Sequence, residues 1–204
     1  MMNVVEQFRK LPATCVSDAL NGMNNLDYSI KPVAAHLKVC GRAVTVKVRA
    51  ADNKLVLKGI REANEGDVLV VDAKGYTNNA AAGDFVISLA KTLGLGGVVI
   101  DGVVRDIAGI RALDFPVFCK GTTTAASDKR GSGDVNVPIS CGDAVIMPGD
   151  IIVGDEDGVV CVPQAEAEAI LAKAKEKLEQ DEKREKDIIG NPDAVRAFID
   201  KQLS

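Results

Sequence analysis

The sequence has little of what several common functional sites require. Histidine occurs once, at position 36, tryptophan is absent, and aromatic residues make up only 3%. One histidine excludes a His-rich zinc site, and five cysteines without a Cys-x-x-Cys pair exclude a Cys-rich one. A Ser-His-Asp triad would have to use His36, whose ordinary Ala-Ala-His-Leu-Lys context favours a surface or packing role. So few rings also argue against binding of single-stranded nucleic acid by base stacking.

The charge and hydropathy patterns exclude further classes of protein. The formal net charge is -4 and no basic block stands out, so we expect no nucleic-acid partner. No apolar run approaches the ~20 residues that span a bilayer, and the N-terminus lacks the apolar core of a signal peptide. We therefore expect a cytoplasmic protein with no membrane partner. In that reducing compartment the cysteines are expected to be small buried side chains: Cys15, Cys40, Cys119, Cys141 and Cys161.

The segment Gly94-Leu95-Gly96-Gly97 resembles a nucleotide-binding loop in composition alone. It precedes an apolar strand pattern, whereas the dinucleotide fingerprint follows a strand and opens a helix, and no Walker sequence occurs. We predict that it ends a helix and makes a tight turn. The same misplacement argues against a methyltransferase of the nucleotide-binding-fold type.

Strand and helix patterns alternate along the first part of the chain. Residues 42–50 alternate apolar and polar side chains, as half-buried strands do, and short apolar runs typical of buried strands recur further on. This alternation predicts parallel pairing. The predicted helices are residues 3–11, 16–21, 54–63, 84–93 and 106–113, and the predicted strands are residues 42–50, 68–71, 98–101 and 116–119.

The later part of the chain is rich in short strands and ends in helices. Residues 121–143 are predicted as a loop, followed by strands at 144–147, 150–153 and 158–162. Residues 164–188 predict a long helix, and Asn191-Pro192 starts a last one. We predict a layered α/β fold with mixed sheets. One domain would cover residues 1–163, and a helical extension, residues 164–204, would pack on it or on a neighbouring subunit.

A cation and an anion stand side by side just past a predicted buried strand, at Arg105 and Asp106. Ligands of α/β sheets favour that edge. We expect the two side chains to diverge rather than pair, so that one can hold a substrate carboxylate and the other a hard cation. From the pair alone, a structural salt bridge is an equal alternative.

Asp84 stands at a suggestive distance from this pair. Twenty residues, enough for one helix and one strand, separate Asp84 from Arg105. The start of that helix and the end of that strand can therefore meet at one edge of the sheet. Backbone amides at the start of a helix bind carboxylates well, so they would point into the same site.

With Asp84, Arg105 and Asp106 at this spacing, the chain resembles the RraA-like family, which contains the class II 4-hydroxy-4-methyl-2-oxoglutarate/4-carboxy-4-hydroxy-2-oxoadipate aldolases. The Asp-x20-Arg-Asp spacing is similar to the family's active-site signature. The resemblance covers roughly residues 14–163 and implies a layered β/β/α domain of the swivelling type. Its other matching segments are residues 14–20, 97–106, 115–118 with Gly121, 135–139, 148–150 and 155–162.

The resemblance implies a role for each residue of the motif. Asp106 would ligate Mg²⁺ or Mn²⁺, largely in the company of water, and Asp84 would hydrogen-bond metal-bound water. Arg105 would bind the carboxylate or carbonyl end of an oxo-acid. The substrate cradle would be completed by the backbone amides of Gly83, Asp84, Phe85 and Val86.

The reaction that the resemblance implies is cleavage of 4-hydroxy-2-oxo-dicarboxylic acids to pyruvate. The metal ion stabilises the enolate and Arg105 adds a second positive group, so oxaloacetate, which gives the same enolate, should be decarboxylated as well. The family also implies homotrimers, or dimers of trimers, with sites at subunit interfaces. An acidic residue from a neighbour's C-terminal helix would complete each site, and the candidates are Glu179, Asp181, Glu182 and Glu185.

Other interpretations stay open. Gly109 stands where family aldolases commonly carry an acidic residue, which weakens the case for the named aldol substrate more than that for a metal and oxo-acid site. Some family members are named for regulating a ribonuclease, so a non-catalytic regulator that binds a ribonuclease or other protein is an alternative. Such a scaffold has no need of a metal-binding carboxylate at Asp106. A Schiff-base route would need a buried lysine, for which Lys74 and Lys120 are the nearest candidates, although neither has an evident context that lowers its pKa.

Overall fold

Strands and helices alternate between residues 39 and 122 of the computed structural model, which describes residues 3–204. The helices are α1 (Val4–Phe8), α2 (Ala13–Ala19), α3 (Lys54–Glu62), α4 (Asp84–Thr92), α5 (Ile107–Ala112), α6 (Ala167–Ile188) and α7 (Pro192–Leu203). The strands are β1 (Lys31–Pro32), β2 (Val39–Val48), β3 (Val68–Tyr76), β4 (Gly97–Val104), β5 (Val117–Thr122), β6 (Gly133–Val135), β7 (Ile139–Cys141), β8 (Ala144–Ile146), β9 (Ile151–Asp155) and β10 (Gly158–Val162).

Four parallel strands form the middle of an eight-stranded sheet with the order β1-β5-β4-β3-β2-β9-β10. The strands β1 and β9 are antiparallel to their neighbours in the sheet, β10 is antiparallel to β9, and β6 pairs antiparallel with β2. The strands β7 and β8 form a separate hairpin. The parallel pairing and the mixed sheet that the alternation predicts are therefore confirmed.

Alternate side chains of the sheet enter two different hydrophobic clusters. On β4, Val99 belongs to a cluster that the β7–β8 hairpin completes, whereas Val98 and Ile100 belong to the cluster under α3, α4 and α5. All eight residues of β4 are buried, which agrees with a parallel strand covered on both faces. The end of this strand is therefore a rigid place from which to present a functional side chain.

The C-terminal helices begin on the domain and then leave it. The first half of α6 packs in a third hydrophobic cluster with α1 and α2, through Ala167, Ile170, Leu171 and Ala174. By contrast, α7 has no buried residue. Within residues 3–204 no helix is long and apolar enough to cross a membrane. The division of the chain near residue 163 stays a prediction.

The region predicted as a loop, residues 121–143, departs from expectation because it contains the strands β6 and β7. Both are short, and β6 forms by pairing Val135 with Val46 of β2, about ninety positions earlier in the chain. A long-range partner leaves little local signal in a segment rich in Gly, Ser and Asp. The strands β3 and β4 also extend further than the apolar runs that predicted them. Residues 1 and 2 of the predicted domain lie outside the described residues.

Asp52 connects the end of β2 to the long loop after β5. Its carboxylate accepts hydrogen bonds from the backbone N–H groups of Lys54 at 3.0 Å, Gly131 at 2.8 Å and Ser132 at 3.2 Å. Burial by itself raises the pKa of this carboxyl, but the backbone hydrogen bonds outweigh it, so that the pKa lies below its usual value. The charged form of Asp52 is thus the form that stabilises the fold.

Replacing Asp52 by Asn is expected to lower the free energy of unfolding by about 2 kcal/mol at pH 7, because hydrogen bonds to a charged group are lost. Since the folded-state pKa is depressed, the advantage of the wild type is fully present above the usual pKa of about 4 and disappears as the pH falls through the folded-state value. Urea unfolding at several pH values measures this difference. The exposed Asp128→Asn in the same loop is the control, and equal stability of Asp52→Asn and wild type at pH 7 would contradict the expectation.

Candidate active site

The segment before α4 is fastened to the end of β4. Ala82 forms a β-bridge with Val104, and the backbone N–H of Arg105 donates to the carbonyl of Ala82 over 3.0 Å. The first residue of α4, Asp84, therefore lies at the same edge of the sheet as Arg105 and Asp106. This is the meeting of helix start and strand end that the twenty-residue spacing predicts.

Arg105 and Asp106 pair with each other, so the expectation that their side chains diverge is wrong. Nε of Arg105 lies 3.3 Å from Oδ2 of Asp106, and the side chains are 42% and 45% exposed. Side chains of neighbouring residues diverge on an extended backbone. Asp106 instead has a left-handed backbone, with φ 57° and ψ 42°, and this turns its side chain toward Arg105. A half-exposed pair contributes at most about 1 kcal/mol, so a substrate or cation can compete for either member.

Gly83 makes room for the Asp106 carboxylate. Its φ of -122° and ψ of -179° are extended values open to any residue, so the backbone conformation does not require glycine. A Cβ placed on Gly83, however, would lie 2.5 Å from Oδ2 of Asp106 and 3.4 Å from Cγ of Arg105. The missing side chain, and not only the backbone amide, accounts for glycine at this position.

The carboxylate of Asp84 is hydrogen-bonded to one of the backbone amides that are expected to bind substrate. Its Oδ1 accepts a hydrogen bond from the N–H of Phe85 over 2.7 Å, so the expectation that this amide is free is wrong. The N–H of Val86 has no recorded acceptor among the described residues and stays a candidate donor. The side chain of Phe85 is 72% exposed beside the site. The carboxylate of Asp84 is thereby held on the first turn of α4.

The carboxylates of this site suit a hard divalent cation held largely by water. Mg²⁺ commonly takes one or two protein carboxylates and keeps several waters, whereas zinc sites use several nitrogen or sulfur ligands. Across residues 3–204 no three His, Cys, Asp or Glu side chains form a group that could enclose a metal ion. The donor set at Asp106, with Asp84 nearby in the chain fold, fits Mg²⁺ or Mn²⁺ and does not fit a zinc site.

Two ion pairs that sequence reasoning missed lie near the same edge, where β3, β4 and β5 end. Asp101 pairs with Lys120 at 2.9 Å and Asp72 with Lys74 at 2.5 Å. Both aspartates are buried, and Asp101 also accepts a hydrogen bond from the N–H of Gly142 over 3.0 Å. The available signal was an aspartate within each apolar strand pattern. Asp101 thereby connects β4 to the turn of the β7–β8 hairpin.

The pairing of Lys120 bears on the Schiff-base alternative. Burial lowers the pKa of this amine, but the hydrogen bond and the charge of Asp101 outweigh burial, so that the pKa is raised above its ordinary value. Lys74 is tied to Asp72 in the other pair. A protonated amine is not a nucleophile, so the surroundings of Lys120 oppose a Schiff base.

The remaining candidates are accounted for in ordinary ways. His36 is exposed and its Nε2 lies 2.7 Å from Oδ1 of Asp114, which confirms a surface role. The cysteines are free and buried, as expected, and burial raises the pKa of Cys40 to about 12. Gly94 follows α4 with φ 74°, so the glycine-rich segment ends a helix as predicted.

Among the acidic candidates on α6, Asp181 is the one engaged within its own chain. Its Oδ1 lies 3.2 Å from Nζ of Lys177 and 2.8 Å from Arg184, and Lys177 also pairs with Asp18 at 3.4 Å. The other three candidates are exposed: Glu179, Glu182 and Glu185. Their possible contribution to a neighbouring site stays a prediction.

A surface cleft of about 660 Å³ lies at the opposite edge of the sheet from the Arg105 site. Its lining includes Lys31, Val33 and Arg111, and the N–H of Val33 donates to the carbonyl of Val117, where β5 begins. The cleft is therefore separate from the ends of the parallel strands.

Comparison with known proteins shows the family of this chain. The RraA-like family, described as Aldolase/RraA, matches residues 13–161. A protein of Halalkalibacterium halodurans named "Putative 4-hydroxy-4-methyl-2-oxoglutarate aldolase" is 52% identical over 202 residues, covering 99% of this chain and 96% of the relative. The chain therefore belongs to the RraA-like family.

Solved structures support the same fold. An uncharacterized protein from Pseudomonas syringae pv. tomato has a TM-score of 0.84 and 29% identity, covering 96% of this chain and 92% of that one. The RNA-processing inhibitor RraA from Thermus thermophilis has a TM-score of 0.69 and 30% identity, covering 76% of this chain and 93% of that one. The layered α/β fold with mixed sheets and C-terminal helices is thus that of the family.

Reductive trapping tests the interpretation of Lys120. When the protein is incubated with pyruvate and sodium borohydride, we expect no reduced pyruvate adduct on Lys120, because the amine held by Asp101 stays protonated. Mass spectrometry of the intact protein and of its peptides measures the outcome. A reduced pyruvate adduct on the peptide that contains Lys120 would contradict it.

Proposed function

We propose that this chain is a divalent-metal-dependent lyase that cleaves 4-hydroxy-2-oxo-dicarboxylic acids, of the 4-hydroxy-4-methyl-2-oxoglutarate type, to pyruvate. The observation that carries the proposal is the joint placement of Asp84, Arg105 and Asp106, with Gly83 leaving room for Asp106. The aldolase name of the 52% identical relative supports the same class of reaction.

Arg105 binds and orients the substrate in this proposal. Its guanidinium stands at the end of a fully buried strand, so the cation is presented from a fixed backbone position. A guanidinium can donate two parallel hydrogen bonds to a carboxylate, which fixes the plane of the bound oxo-acid. The ion pair with Asp106 is half-exposed and weak enough to be exchanged for the substrate.

Asp106 would hold the cation, Mg²⁺ or Mn²⁺, through its carboxylate. When bound, such a cation supplies Lewis-acid stabilisation of negative charge on the oxygens of the oxo-acid. The left-handed backbone of Asp106 and the absence of a side chain at Gly83 keep Oδ2 at the open edge of the site. In this proposal Arg105 therefore binds the substrate, and Asp106 binds the cation.

Asp84 handles the proton in the proposed reaction. Removal of the 4-hydroxyl proton lets the electrons of the C3–C4 bond pass to the C2 carbonyl, which leaves the enolate of pyruvate and a carbonyl product. The enolate then takes a proton at C3. With Oδ1 held by the Phe85 amide, Oδ2 of Asp84 would accept or orient the proton, through a water if needed.

Oxaloacetate decarboxylase activity follows from the same site. Loss of carbon dioxide from oxaloacetate sends the electrons of the breaking bond to the C2 carbonyl and leaves the same enolate. Arg105 can stabilise that charge in both reactions. The chain therefore needs no additional residue to decarboxylate oxaloacetate.

A non-catalytic regulator is the second candidate function, because a solved relative carries the name RNA-processing inhibitor RraA. A surface that only binds protein has no need of a metal-binding carboxylate at the end of a buried strand. Gly83, whose missing side chain admits the carboxylate of Asp106, is likewise unexplained by protein binding. These features favour the lyase.

The assembly is also a proposal. We place the active enzyme in the cytoplasm as a homotrimer, or a dimer of trimers, with sites at subunit interfaces. The support within the chain is the bare surface of α7 and the exposed acidic side chains on the second half of α6. In this arrangement Glu179, Glu182 or Glu185 would approach a neighbour's Arg105 site.

The proposed activity is tested by pyruvate release. With Mg²⁺ or Mn²⁺ present, a lactate-dehydrogenase-coupled assay is expected to detect pyruvate from 4-hydroxy-4-methyl-2-oxoglutarate and from oxaloacetate. EDTA should abolish the signal, and added metal should restore it. The rate without enzyme is the control for spontaneous decarboxylation. Absence of metal-dependent pyruvate across a panel of 2-oxo-acids would overturn the lyase proposal.

Asp106→Asn tests the assignment of the cation ligand. Because metal ions supply several kcal/mol of transition-state stabilisation, loss of the charged ligand should lower kcat/KM by roughly 100-fold or more. Asparagine tolerates the left-handed backbone, so the fold and the oligomer should be retained. The matched control is Asp114→Asn, another aspartate with positive φ, at 47°. Full activity of Asp106→Asn in the coupled assay would refute the assignment.

A further inference from the structure

Gly109 occupies a helical position at which glycine has no conformational justification. It lies within α5 (Ile107–Ala112), and its φ is not among the positive values of the described residues. Any L-residue can adopt that conformation, and alanine favours a helix more than glycine does. The reason for glycine must therefore be sought in what surrounds the residue.

The side chain of Asp84 fills the space that a side chain at position 109 would need. A Cβ placed on Gly109 would lie 2.5 Å from Oδ2 of Asp84, 2.9 Å from its Cβ and 3.1 Å from its Cγ. The clash involves the base of the side chain as well as its end. Rotation of the carboxylate alone cannot relieve it, and Oδ1 is held by the N–H of Phe85 at 2.7 Å.

This contact has a counterpart on the other side of the site. Gly83 makes room for Oδ2 of Asp106, and Gly109 makes room for Oδ2 of Asp84, both at 2.5 Å from the hypothetical Cβ. Each aspartate thus lies against a glycine of the opposite segment. The two carboxylates of the site are placed by this pair of crossed contacts.

We propose that Gly109 is a positioning residue for Asp84, acting by leaving the first turn of α5 bare. The functional part of this inference rests on the proposed lyase activity, in which Asp84 handles the proton. An acidic side chain at position 109 could not coexist with Asp84 in its present place. In this chain Gly109 therefore allows Asp84 its place in the site and is not merely the absence of a ligand.

Gly109→Ala is expected to lower kcat for 4-hydroxy-4-methyl-2-oxoglutarate by roughly tenfold or more, because a displaced Asp84 loses part of the roughly 10²–10⁴-fold that a positioned acid–base group contributes. KM should stay within about twofold, because Arg105 binds the substrate in this proposal and the three atoms nearest to the new Cβ all belong to Asp84. In an Asp84→Gly background the same substitution should change kcat by less than about twofold, because no carboxylate is left to displace. Equal losses in both backgrounds, or a loss confined to KM, would overturn the positioning role.

Melting temperature gives a second test that does not depend on activity. In the wild type, Gly109→Ala should lower Tm because of the clash with Asp84. In the Asp84→Gly background it should raise Tm, since alanine then only improves the helix. The matched control is Ala112→Gly, the reverse exchange one turn further along α5, which should lower Tm equally in both backgrounds.

The outcomes separate the two proposals. Shifts of Tm with the same sign in both backgrounds overturn the Gly109 inference, whatever the activity. A reversal of sign together with unchanged kcat also overturns it, because the contact would then have no effect on the reaction. If wild type releases no pyruvate from any oxo-acid, the lyase proposal fails, and the sign of the Tm shifts still decides whether Gly109 places Asp84.

Discussion

The arrangement of the site depends on the pairing between the end of β4 and the segment that precedes α4. The bridge between Ala82 and Val104 and the hydrogen bond from Arg105 N–H to the Ala82 carbonyl bring two distant stretches of chain into register. Backbone hydrogen bonds on a buried strand tolerate little displacement. Gly83 comes directly after the paired Ala82, so the pairing also positions the residue that leaves room for Asp106. The positions of the site residues are thus set first by the register of the sheet, and only then by interactions between their side chains.

Much of this edge could be predicted from the sequence because its signals are local. The apolar run before Asp101, the polar pair Arg105-Asp106 and the spacing to Asp84 are all visible in a single chain. A strand that ends and a helix that begins at the same edge follow from the alternation of the two patterns. What remained open was whether the charged pair was a site or a salt bridge, and it is a weak salt bridge within a site-like arrangement.

The parts that could not be predicted all depend on contacts between distant residues. The left-handed backbone of Asp106, the crossed contacts of Gly83 and Gly109, and the Asp101–Lys120 pair leave no periodic pattern in the chain. For Gly109 the interpretation changes with the structure. In the sequence, Gly109 stands out only because an acidic residue is missing there. In the fold, the space that its side chain would need is filled by Asp84.

The conformation of Asp106 shows how such a site is maintained. A non-glycine residue with positive φ is strained by roughly 1 kcal/mol or more, although aspartate tolerates the left-handed region better than most. The exposed ion pair with Arg105 is too weak to offset this cost alone. The buried strand β4 and the hydrogen bond from the N–H of Ile110 to the carbonyl of Asp106, at 3.1 Å, must hold this backbone conformation instead. Because the fold and not the ion pair holds the backbone, both side chains are free to exchange their mutual contact for ligands.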